Sequence, residues 1–292
     1  MSAAQLTYAV VTPARDERAN LERLAESLGA QEQLPETWMI VDDTSDDGTS
    51  ELAQRLAASH PWVHAITTAG AAGALSNGRR EGRALESFRH GVRALPRVPD
   101  VVVKVDADTS FEPDYFRRLL DHFAREPELG IAGGACYELE AGRWLRQKVV
   151  ATHPRGASRA YRSACIDAVM TLEARMGWDG LDEVKAALAG YRSRTLLDLG
   201  FRHHRATGAR EKGRIRHGTA QGRAAWYMGY RPSYVLLRTL YRVPKDPGAA
   251  GMILGYAAAS VERQPRCPDA EVVRLLRSRQ RISALVRRGT PP

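Results

Sequence analysis

The chain carries the stretch Val101-Val102-Val103-Lys104-Val105-Asp106-Ala107-Asp108, an apolar run that ends in two carboxylates one residue apart. Short runs of β-branched residues are typical of strands covered on both faces, and ligands of open α/β sheets bind beyond the carboxyl ends of such strands. Two close carboxylates repel each other unless a cation offsets their charge, and oxygen ligands suit Mg²⁺ or Mn²⁺ better than Zn²⁺. The stretch therefore predicts a strand followed by a cation site at Asp106 and Asp108, with a metal-bridged diphosphate as its ligand. A solvated turn or a helix cap is the alternative for such a pair.

Strand and helix patterns alternate through the first half of the chain. This alternation predicts an α/β fold with a doubly wound, mostly parallel sheet flanked by helices. Strands are predicted at 6–12, 37–41, 62–67 and 101–105, and helices at 20–28, 49–58, 80–94 and 113–126.

The composition is that of a soluble enzyme, with 43% hydrophobic and 26% charged residues in a chain of 292. This length allows one large α/β domain or a domain with a helical appendage. The net charge of +9 is uneven, because the segment from Arg192 to Arg242 is rich in arginine. Arginine favours phosphate through its planar fork, so this segment indicates an anionic substrate, a lipid phosphate or nucleic acid. A merely solvated basic face is the alternative.

The cysteines and the apolar segments indicate a cytoplasmic location. Cys136, Cys165 and Cys267 are odd in number, far apart and outside metal-ligand spacing, which is typical of incidental thiols in a reducing compartment. We expect neither a disulfide nor a zinc site. The apolar run from Leu6 to Thr12 is too short for a signal peptide, and residues 248–260 fall short of the roughly 20 residues that span a bilayer. The sequence thus predicts at most a surface attachment to the inner face of the membrane.

The acidic loop Asp42-Asp43-Thr44-Ser45-Asp46-Asp47-Gly48-Thr49 separates a predicted strand from a predicted helix. Asp46, Asp47 and Thr49 are placed to cap that helix. Asp42 and Asp43 come too early for capping, and recognition of a base or ribose is one explanation for them. The glycine-rich loops of dinucleotide-binding proteins and P-loop NTPases are absent from the sequence, which argues against both classes.

Three blocks together resemble the inverting family 2 glycosyltransferases with the GT-A fold. They are Pro13-Ala14-Arg15-Asp16-Glu17, the block Val41 to Thr49, and Asp106-Ala107-Asp108. The family often has Asn at the position of Asp16, and Thr44-Ser45 replaces its Gly-Ser. The resemblance covers roughly residues 5 to 140. It implies a nucleotide-sugar-dependent transferase with a Mg²⁺ or Mn²⁺ cofactor.

The resemblance also implies roles for individual residues. The second Asp of the Asp-Asp pair reads the base, and the Glu of the first block supports the nucleoside. The residues near the end of the first strand line the pocket, and an arginine in the third helix meets phosphate. The implied nucleotide-binding set is Thr12, Ala14, Glu17, Asp43, Arg83 and Asp106. Asp106 and Asp108 hold the metal, with Asp108 as the more direct ligand.

An inverting transfer is a single displacement in which an acceptor hydroxyl loses its proton, and a carboxylate is the usual base. In the family this base is the Asp of a Glu-Asp pair that precedes a helix ending at glycine. Counting back from Gly190, that pair falls on Trp178-Asp179. Asp179 is therefore the first choice and Asp182 the second. Asp179 could also simply cap a helix at 181–188.

The run Phe201-Arg202-His203-His204-Arg205 resembles a histidine-containing stretch of related transferases in which an imidazole completes the metal site. Neighbouring side chains of an extended chain point to opposite faces, so only one of the two histidines can take this role. We expect it to be His204, with a basic surface turn or a phosphate contact as the alternatives. Four basic residues are then expected to form a loop that closes over the diphosphate. The alternative is that they only contribute to solubility. They are Arg205, Arg210, Lys212 and Arg214.

Aromatic residues, leucines and arginines alternate from Trp226 to Arg242. Such spacing is most often that of core packing. The sharper interpretation is an interfacial helix, joined by the apolar stretch Met252 to Ala259, that brings a lipid-linked acceptor to the site.

These observations predict a GT-A domain at 1–220, with a nucleotide-binding half at about 1–110 and an acceptor half at about 111–220. A helical extension at 221–292 follows, with membrane-surface contact as its interfacial alternative. The predicted function is transfer of a sugar from a nucleoside-diphosphate sugar to a hydroxyl or phosphate of a carbohydrate, lipid-linked or small-molecule acceptor. A nucleotidyltransferase and a nucleic-acid-binding protein are the alternatives. The first should carry a glycine-rich loop after the first strand. In the second, the acidic strand ends would repel phosphate, so we expect no nucleic-acid partner.

Overall fold

The computed structural model describes residues 5–68, 80–205 and 214–281. Among them a mixed sheet has the strand order β3-β2-β1-β4-β8-β6-β9-β5, with β7 paired to β6. The strands are β1 (Tyr8–Ala14), β2 (Thr37–Asp42), β3 (Val63–Thr67), β4 (Val101–Val105), β5 (Thr109–Phe111), β6 (Leu129–Glu140), β7 (Arg143–Arg146), β8 (Ser158–Arg162) and β9 (Arg192–His203). The helices are α1 (Arg18–Gly29), α2 (Thr49–Ser59), α3 (Arg80–Arg93), α4 (Tyr115–Arg125), α5 (Ser163–Val169), α6 (Trp178–Leu188), α7 (Arg214–Tyr227), α8 (Pro232–Arg242), α9 (Gly251–Val261) and α10 (Ala270–Arg279).

The α/β fold class is confirmed, and the predicted elements of the first half lie within two residues of their expected bounds. Strands β3, β2, β1 and β4 are parallel neighbours. The second half adds antiparallel pairs, since β8 runs against both β4 and β6, and β5 against β9. The sheet is therefore parallel on the side of the predicted nucleotide site and mixed beyond it.

Strands β1, β2 and β4 are buried along almost their whole length, as expected for strands covered on both faces. Helix α3 packs closely on this sheet at Gly91, where a Cβ atom would lie 2.4 Å from Val11 and 2.8 Å from Val41. A larger residue at this position would push the helix off the sheet.

The chain divides into two compact units. The first comprises the described residues of Met1–Ala174 and Ala186–Ala206, and the second those of Arg175–Lys185 and Thr207–Pro292. Helix α7 and most of α6 thus belong to the second unit, whereas the predicted boundary at residue 220 would place α6 in the first domain and would divide α7. The functional division into transferase domain and extension stays a prediction.

Helices α7 and α9 of the second unit pack backbone to backbone. Glycines face the contact from both helices, at Gly218 and Gly222 on α7 and at Gly251 and Gly255 on α9. A Cβ atom at Gly255 would lie 1.9 Å from the carbonyl oxygen of Thr219. In the part of the chain that the structure describes, no helix combines the length and the apolar character needed to cross a membrane.

Candidate active site

Three parallel strands, β1, β2 and β4, end at the same edge of the sheet. Ala14 at the end of β1 pairs with Asp42 at the end of β2, and Val11 pairs with Lys104 near the end of β4. The turns that follow these strands carry the three acidic blocks identified in the sequence. The carboxyl edge of the parallel sheet therefore gathers them, as expected for an open α/β sheet.

The first two turns lock onto each other through hydrogen bonds. The Asp16 amide donates to Ser45 Oγ at 2.9 Å, and the Asp46 amide donates to Asp16 Oδ1 at 3.0 Å. Asp47 accepts from the amides of Arg18 and Thr49, the first residues of α1 and α2, at 3.1 and 3.0 Å. The capping role of Asp47 is confirmed, and it serves both helices.

Asp42 also has a structural role, because its buried carboxylate accepts hydrogen bonds from the hydroxyl and amide of Ser45. Asp43 differs from it. The carboxylate of Asp43 lies 3.7 Å from Arg15 Nη1 and 3.8 Å from Arg83 Nε, and it accepts a hydrogen bond of 3.3 Å from Thr68. Arg83 Nε is buried and has no hydrogen-bond partner among the described residues. Asp43 and Arg83, predicted to read the base and meet phosphate, thus lie together.

Thr12 and Ala14 lie close to this group but are covered, with 0% and 2% exposure. The Thr12 hydroxyl accepts a 3.0 Å hydrogen bond from Trp38 Nε1. Their visible role is to hold the end of β1, and contact with a nucleotide stays a prediction.

The two carboxylates after β4 are neutralised by cations of the chain itself. Lys104, two residues upstream on the same face of β4, pairs with Asp106 and is buried. Asp108 is 5% exposed and contacts His203 Nε2 at 3.2 Å and Arg205 Nη1 at 3.1 Å. The charge repulsion inferred from the sequence is thus offset by three basic side chains.

Strand pairing explains why His203 reaches Asp108. His203 is the last residue of β9 and lies between Thr109 on β5 and Glu138 on β6. Its Nδ1 is 3.5 Å from Glu138 Oε1, and Cys136 lies two residues upstream of Glu138 on the same face. Donor atoms of Cys136, Glu138 and His203 lie within 4.8 Å of one another.

The two histidines have opposite electrostatic surroundings. Burial by itself lowers the pKa of His203, but its interactions with Asp108, Cys136 and Glu138 outweigh burial and raise the pKa to about 11. Burial together with the charge of Arg23 lowers the pKa of His204 to about 4. His204 contacts Ser110 Oγ through Nε2 at 2.8 Å and meets the Trp144 ring edge-on. His203 is therefore the histidine whose side chain faces Asp108.

Arg205 joins two of the acidic blocks. Its guanidinium forms two 2.8 Å hydrogen bonds with the Glu17 carboxylate, and the same group contacts Asp108. The hydrogen bonds with Glu17 are the main reason that the pKa of Arg205 is raised. Of the other residues in the predicted basic loop, Arg210 and Lys212 and the side chain of Arg214 lie outside the described residues.

The predicted bases lie in the second unit, on α6. This helix begins at Trp178, so Asp179 occupies its first turn instead of the capping position before it. Asp182 is completely buried, and its Oδ1 accepts a hydrogen bond from the Glu183 amide at 2.6 Å. Asp179 is partly exposed. An acceptor in solution can reach a partly exposed carboxylate more easily than a buried one.

A sequence model of glycosyl transferase family 2 matches residues 9–167, which is more than half of the chain. The chain belongs to this family. This membership favours the predicted glycosyltransferase over the nucleotidyltransferase and the nucleic-acid-binding protein.

Among curated relatives, this family 2 glycosyltransferase is similar to the undecaprenyl-phosphate mannosyltransferase of Micrococcus luteus. The two are 37% identical over 105 residues, which are 35% of this chain and 39% of the relative. The match thus spans well under half of the relative's length.

Two solved structures show the same fold. A mannosyltransferase from Pyrobaculum calidifontis in complex with GDP-Man and Mn²⁺ has a TM-score of 0.57 at 16% identity, over 93% of this chain and 79% of that one. GalNAc-T7 with UDP, GalNAc and Mn²⁺ has a TM-score of 0.61 at 12% identity, over 98% of this chain and 59% of that one. The predicted GT-A fold is thereby confirmed.

Sequence reasoning did not assign Lys104, Cys136 and Glu138 to the candidate site. Lys104 could have been found, because a charged residue inside a buried strand requires a partner and Asp106 follows on the same face. Cys136 and Glu138 are two residues apart and therefore lie on the same face of a strand. No local feature of the sequence connects them with Asp108.

Proposed function

We propose that this family 2 glycosyltransferase transfers a sugar, with inversion, from a nucleoside-diphosphate sugar to a lipid phosphate in a metal-dependent reaction. The observation that carries this proposal is the meeting of Asp43, Arg83, Asp108 and His203 at the carboxyl edge of the sheet. The name of the Micrococcus luteus relative supports a polyprenyl phosphate acceptor and mannose as the sugar. A carbohydrate or a small-molecule hydroxyl is the alternative acceptor.

The donor half of the proposal rests on charge. Arg15 and Arg83 both pair with Oδ2 of Asp43, and Thr68 donates to its Oδ1, so the carboxylate is oriented before a ligand arrives. An oriented carboxylate can accept hydrogen bonds from a base or ribose, while the guanidinium groups beside it suit phosphate. The site thereby supplies both signs of charge that a nucleotide requires.

The residues around Asp108 fit a divalent metal. Carboxylates of Asp106, Asp108 and Glu138 and the imidazole of His203 are the donor types that Mn²⁺ accepts, and an imidazole favours Mn²⁺ over Mg²⁺. When bound, such an ion offsets the negative charge that develops on the diphosphate leaving group. The Mn²⁺ in two solved structures with this fold is consistent with this assignment. His203 replaces His204 in the proposed donor set, because His203 is the one that contacts Asp108. Since its pKa is about 11 without the ion, His203 would release a proton on binding it.

The acceptor decides whether a base is needed. A hydroxyl must lose its proton, whereas a phosphate monoester, whose second pKa is about 6, already carries a nucleophilic oxygen at neutral pH. We therefore propose Asp179 as the base for a hydroxyl acceptor only. Asp179→Asn should abolish transfer to a hydroxyl and leave transfer to a polyprenyl phosphate largely intact.

The second unit also supports contact with a membrane surface. Helix α8 exposes Leu236, Leu237 and Leu240, and α9, which packs against it, exposes Ile253 and Leu254. The aromatic residues upstream are used for packing instead, since Tyr227 is buried and Trp226 meets Tyr256 edge-on at 5.3 Å. The exposed leucines thus favour the interfacial interpretation for α8 and α9, at the inner face of the membrane.

A thermal-shift panel with UDP, GDP, dTDP and CDP, each with and without Mn²⁺, tests the proposal, because a ligand of the native state raises Tm. We expect a metal-dependent shift with one nucleotide. Asp43→Asn and Asp108→Asn should reduce that shift, and the matched control Asp121→Asn, an exposed carboxylate on α4, should not. Transfer from the nucleotide sugar so identified is then measured with polyprenyl phosphate and with a soluble glycan. A full shift and full turnover by Asp108→Asn would refute the metal assignment.

A further inference from the structure

A groove in the second unit is lined by five arginines: Arg231, Arg266, Arg274, Arg277 and Arg281. Arg274 and Arg277 lie three residues apart on α10 and share one side of it, and Arg281 lies two residues beyond the end of the helix. Arg231 immediately precedes α8, and Arg266 lies in the segment before α10. The name arginine groove is used below for this feature.

The arginine groove carries positive charge without acidic compensation. Its lining contains no Asp or Glu, and within the described residues none of the five guanidinium groups forms an ion pair with a carboxylate. The adjacent acid Asp269 is engaged elsewhere, because it accepts from the Val272 amide at 3.1 Å and pairs with Lys185 at 3.4 Å. Five like charges around one space repel each other, and an anion bound among them would remove that repulsion.

Three of the arginines are held in place by groups other than carboxylates. Arg231 Nε donates to the Arg277 carbonyl at 2.9 Å, and Arg277 Nε donates to the Gly229 carbonyl at 2.7 Å. The Arg266 guanidinium stacks on the Trp226 ring, 3.9 Å from its centroid. These contacts use Nε or the face of the group, so the terminal nitrogens keep their donors for a ligand. A fixed fork of donors matches phosphate and loses little side-chain entropy on binding.

The space in the groove is about 460 Å³, within the usual range for small-molecule sites. It therefore holds more than one inorganic phosphate. Its remaining lining is largely apolar, with Cys267 and Val273 among the residues. A diphosphate or a phosphorylated head group combines the size and the charge that this lining accepts.

We propose that the arginine groove is a binding site for a phosphate-bearing anion with two or more negative charges. The ligand is either a free phosphate compound or the head group of a phospholipid, since both present the same oxygens to the arginines. This proposal does not depend on the sugar transfer proposed above, because every residue of the groove lies in the second unit.

The test uses the full chain in metal-free buffer with two probes, inorganic pyrophosphate and vesicles of phosphatidic acid in phosphatidylcholine. The double variant Arg274→Gln/Arg281→Gln removes two groove charges whose side chains make no hydrogen bond to the described residues. The charge-matched control Arg97→Gln/Arg263→Gln removes two exposed arginines outside the groove. Alkylation of Cys267 gives a local readout, since Cys267 is partly exposed whereas Cys136 and Cys165 are buried.

We expect the groove variant to lose at least about tenfold in affinity for one of the probes, and the control variant to bind like the wild type. Pyrophosphate should also slow alkylation of Cys267 in the wild type and not in the groove variant. Pyrophosphate binding that is lost in the groove variant assigns a soluble phosphate ligand, and vesicle binding alone that is lost in the groove variant assigns a lipid head group. The proposal is overturned if neither probe binds, or if the groove variant binds both probes as the control variant does. A failed nucleotide panel would leave this result unaffected.

Discussion

Asp16 and Thr44, in the two interlocked turns, both adopt the left-handed backbone conformation, with φ of 53° and 54°. Asp tolerates this region because its short polar side chain can hydrogen-bond locally, and Asp16 does so with the Asp46 amide. A β-branched residue is disfavoured there. Thr44, which stands where the family usually has Gly, therefore carries backbone strain.

Thr44→Asn should stabilise the protein by about 1 kcal/mol, because Asn adopts the left-handed region more readily than Thr does. The measurement is urea denaturation at equilibrium. Thr44→Val keeps the branching and removes the hydroxyl that donates to the Asp43 carbonyl at 2.7 Å, so it should destabilise. An Asn variant no more stable than the wild type would contradict the strain argument.

His203 gives the metal-free protein a pH dependence. Its folded pKa of about 11 lies above its ordinary value of 6.5, so the folded state holds a proton that the unfolded state releases. The stabilisation is therefore complete below pH 6.5 and is lost as the pH rises toward 11, with a slope of up to about 1.4 kcal/mol per pH unit.

His203→Gln should flatten this dependence. The free energy of unfolding is measured between pH 6 and 9 with a chelator present, in the wild type, in His203→Gln and in His90→Gln, an exposed histidine on α3. We expect only the first substitution to reduce the slope. Equal slopes in all three proteins would show that His203 is not the responsible group.

At the scale of elements, β9 decides which histidine reaches the acidic site. Its pairing with β5 on one side and β6 on the other places His203 between Thr109 and Glu138. The alternation of side chains could be inferred from the sequence, but the face could not. The sequence contains no information on the register of β9 against β5 and β6, so the choice of His204 over His203 could not be made reliably from it.

Helices α7 and α9 depend on glycine at their contact. Gly255→Ala should cost roughly 1–3 kcal/mol through overpacking against the Thr219 carbonyl, which exceeds the gain of up to about 1 kcal/mol that Ala brings to a helix. Gly29→Ala, at the end of α1 with no atom within 4 Å of the added carbon, is the matched control and should be neutral or slightly stabilising. Chemical denaturation of both variants compares them. Similar stability of the two variants would show that α7 and α9 can move apart to accommodate the added methyl group without a loss of stability.

At the scale of the whole molecule, the outer faces of α8 and α9 remain apolar. Leu240 is 61% exposed and Leu254 62%. Lys245 lies 5.9 Å from the Tyr241 ring at the end of α8, an arrangement suited to the head-group level of an anionic bilayer.

Leu240→Glu and Leu254→Glu should each weaken binding to vesicles of phosphatidylglycerol by about tenfold, because burying a carboxylate in the interface opposes insertion of the apolar face. Val98→Glu, at a 74% exposed position of the first unit, is the control and should bind like the wild type. Flotation measures the bound fraction. A change from dimer to monomer without a loss of vesicle binding would assign the surface to self-association instead.

The parallel half of the sheet and the acidic blocks at its edge follow from local patterns in the sequence. Burial of strands and capping of helices depend on residues within a few positions of each other, so the runs 37–42 and 101–105 and the capping of α2 by Asp47 follow from local pattern. Asp43 and Asp108 could be placed at this edge for the same reason, since Asp43 directly follows β2 and Asp108 lies three residues after β4.

The groups that surround those carboxylates come together through packing between elements that are distant in the sequence. Arg205 bridges Glu17 and Asp108, although 188 residues separate it from Glu17. Glu138 reaches His203 through the pairing of β6 with β9. The arginine groove likewise joins the start of α8 to α10. Such contacts form when elements that are distant in the sequence pack together, and the spacing of side chains along the chain does not predict that packing.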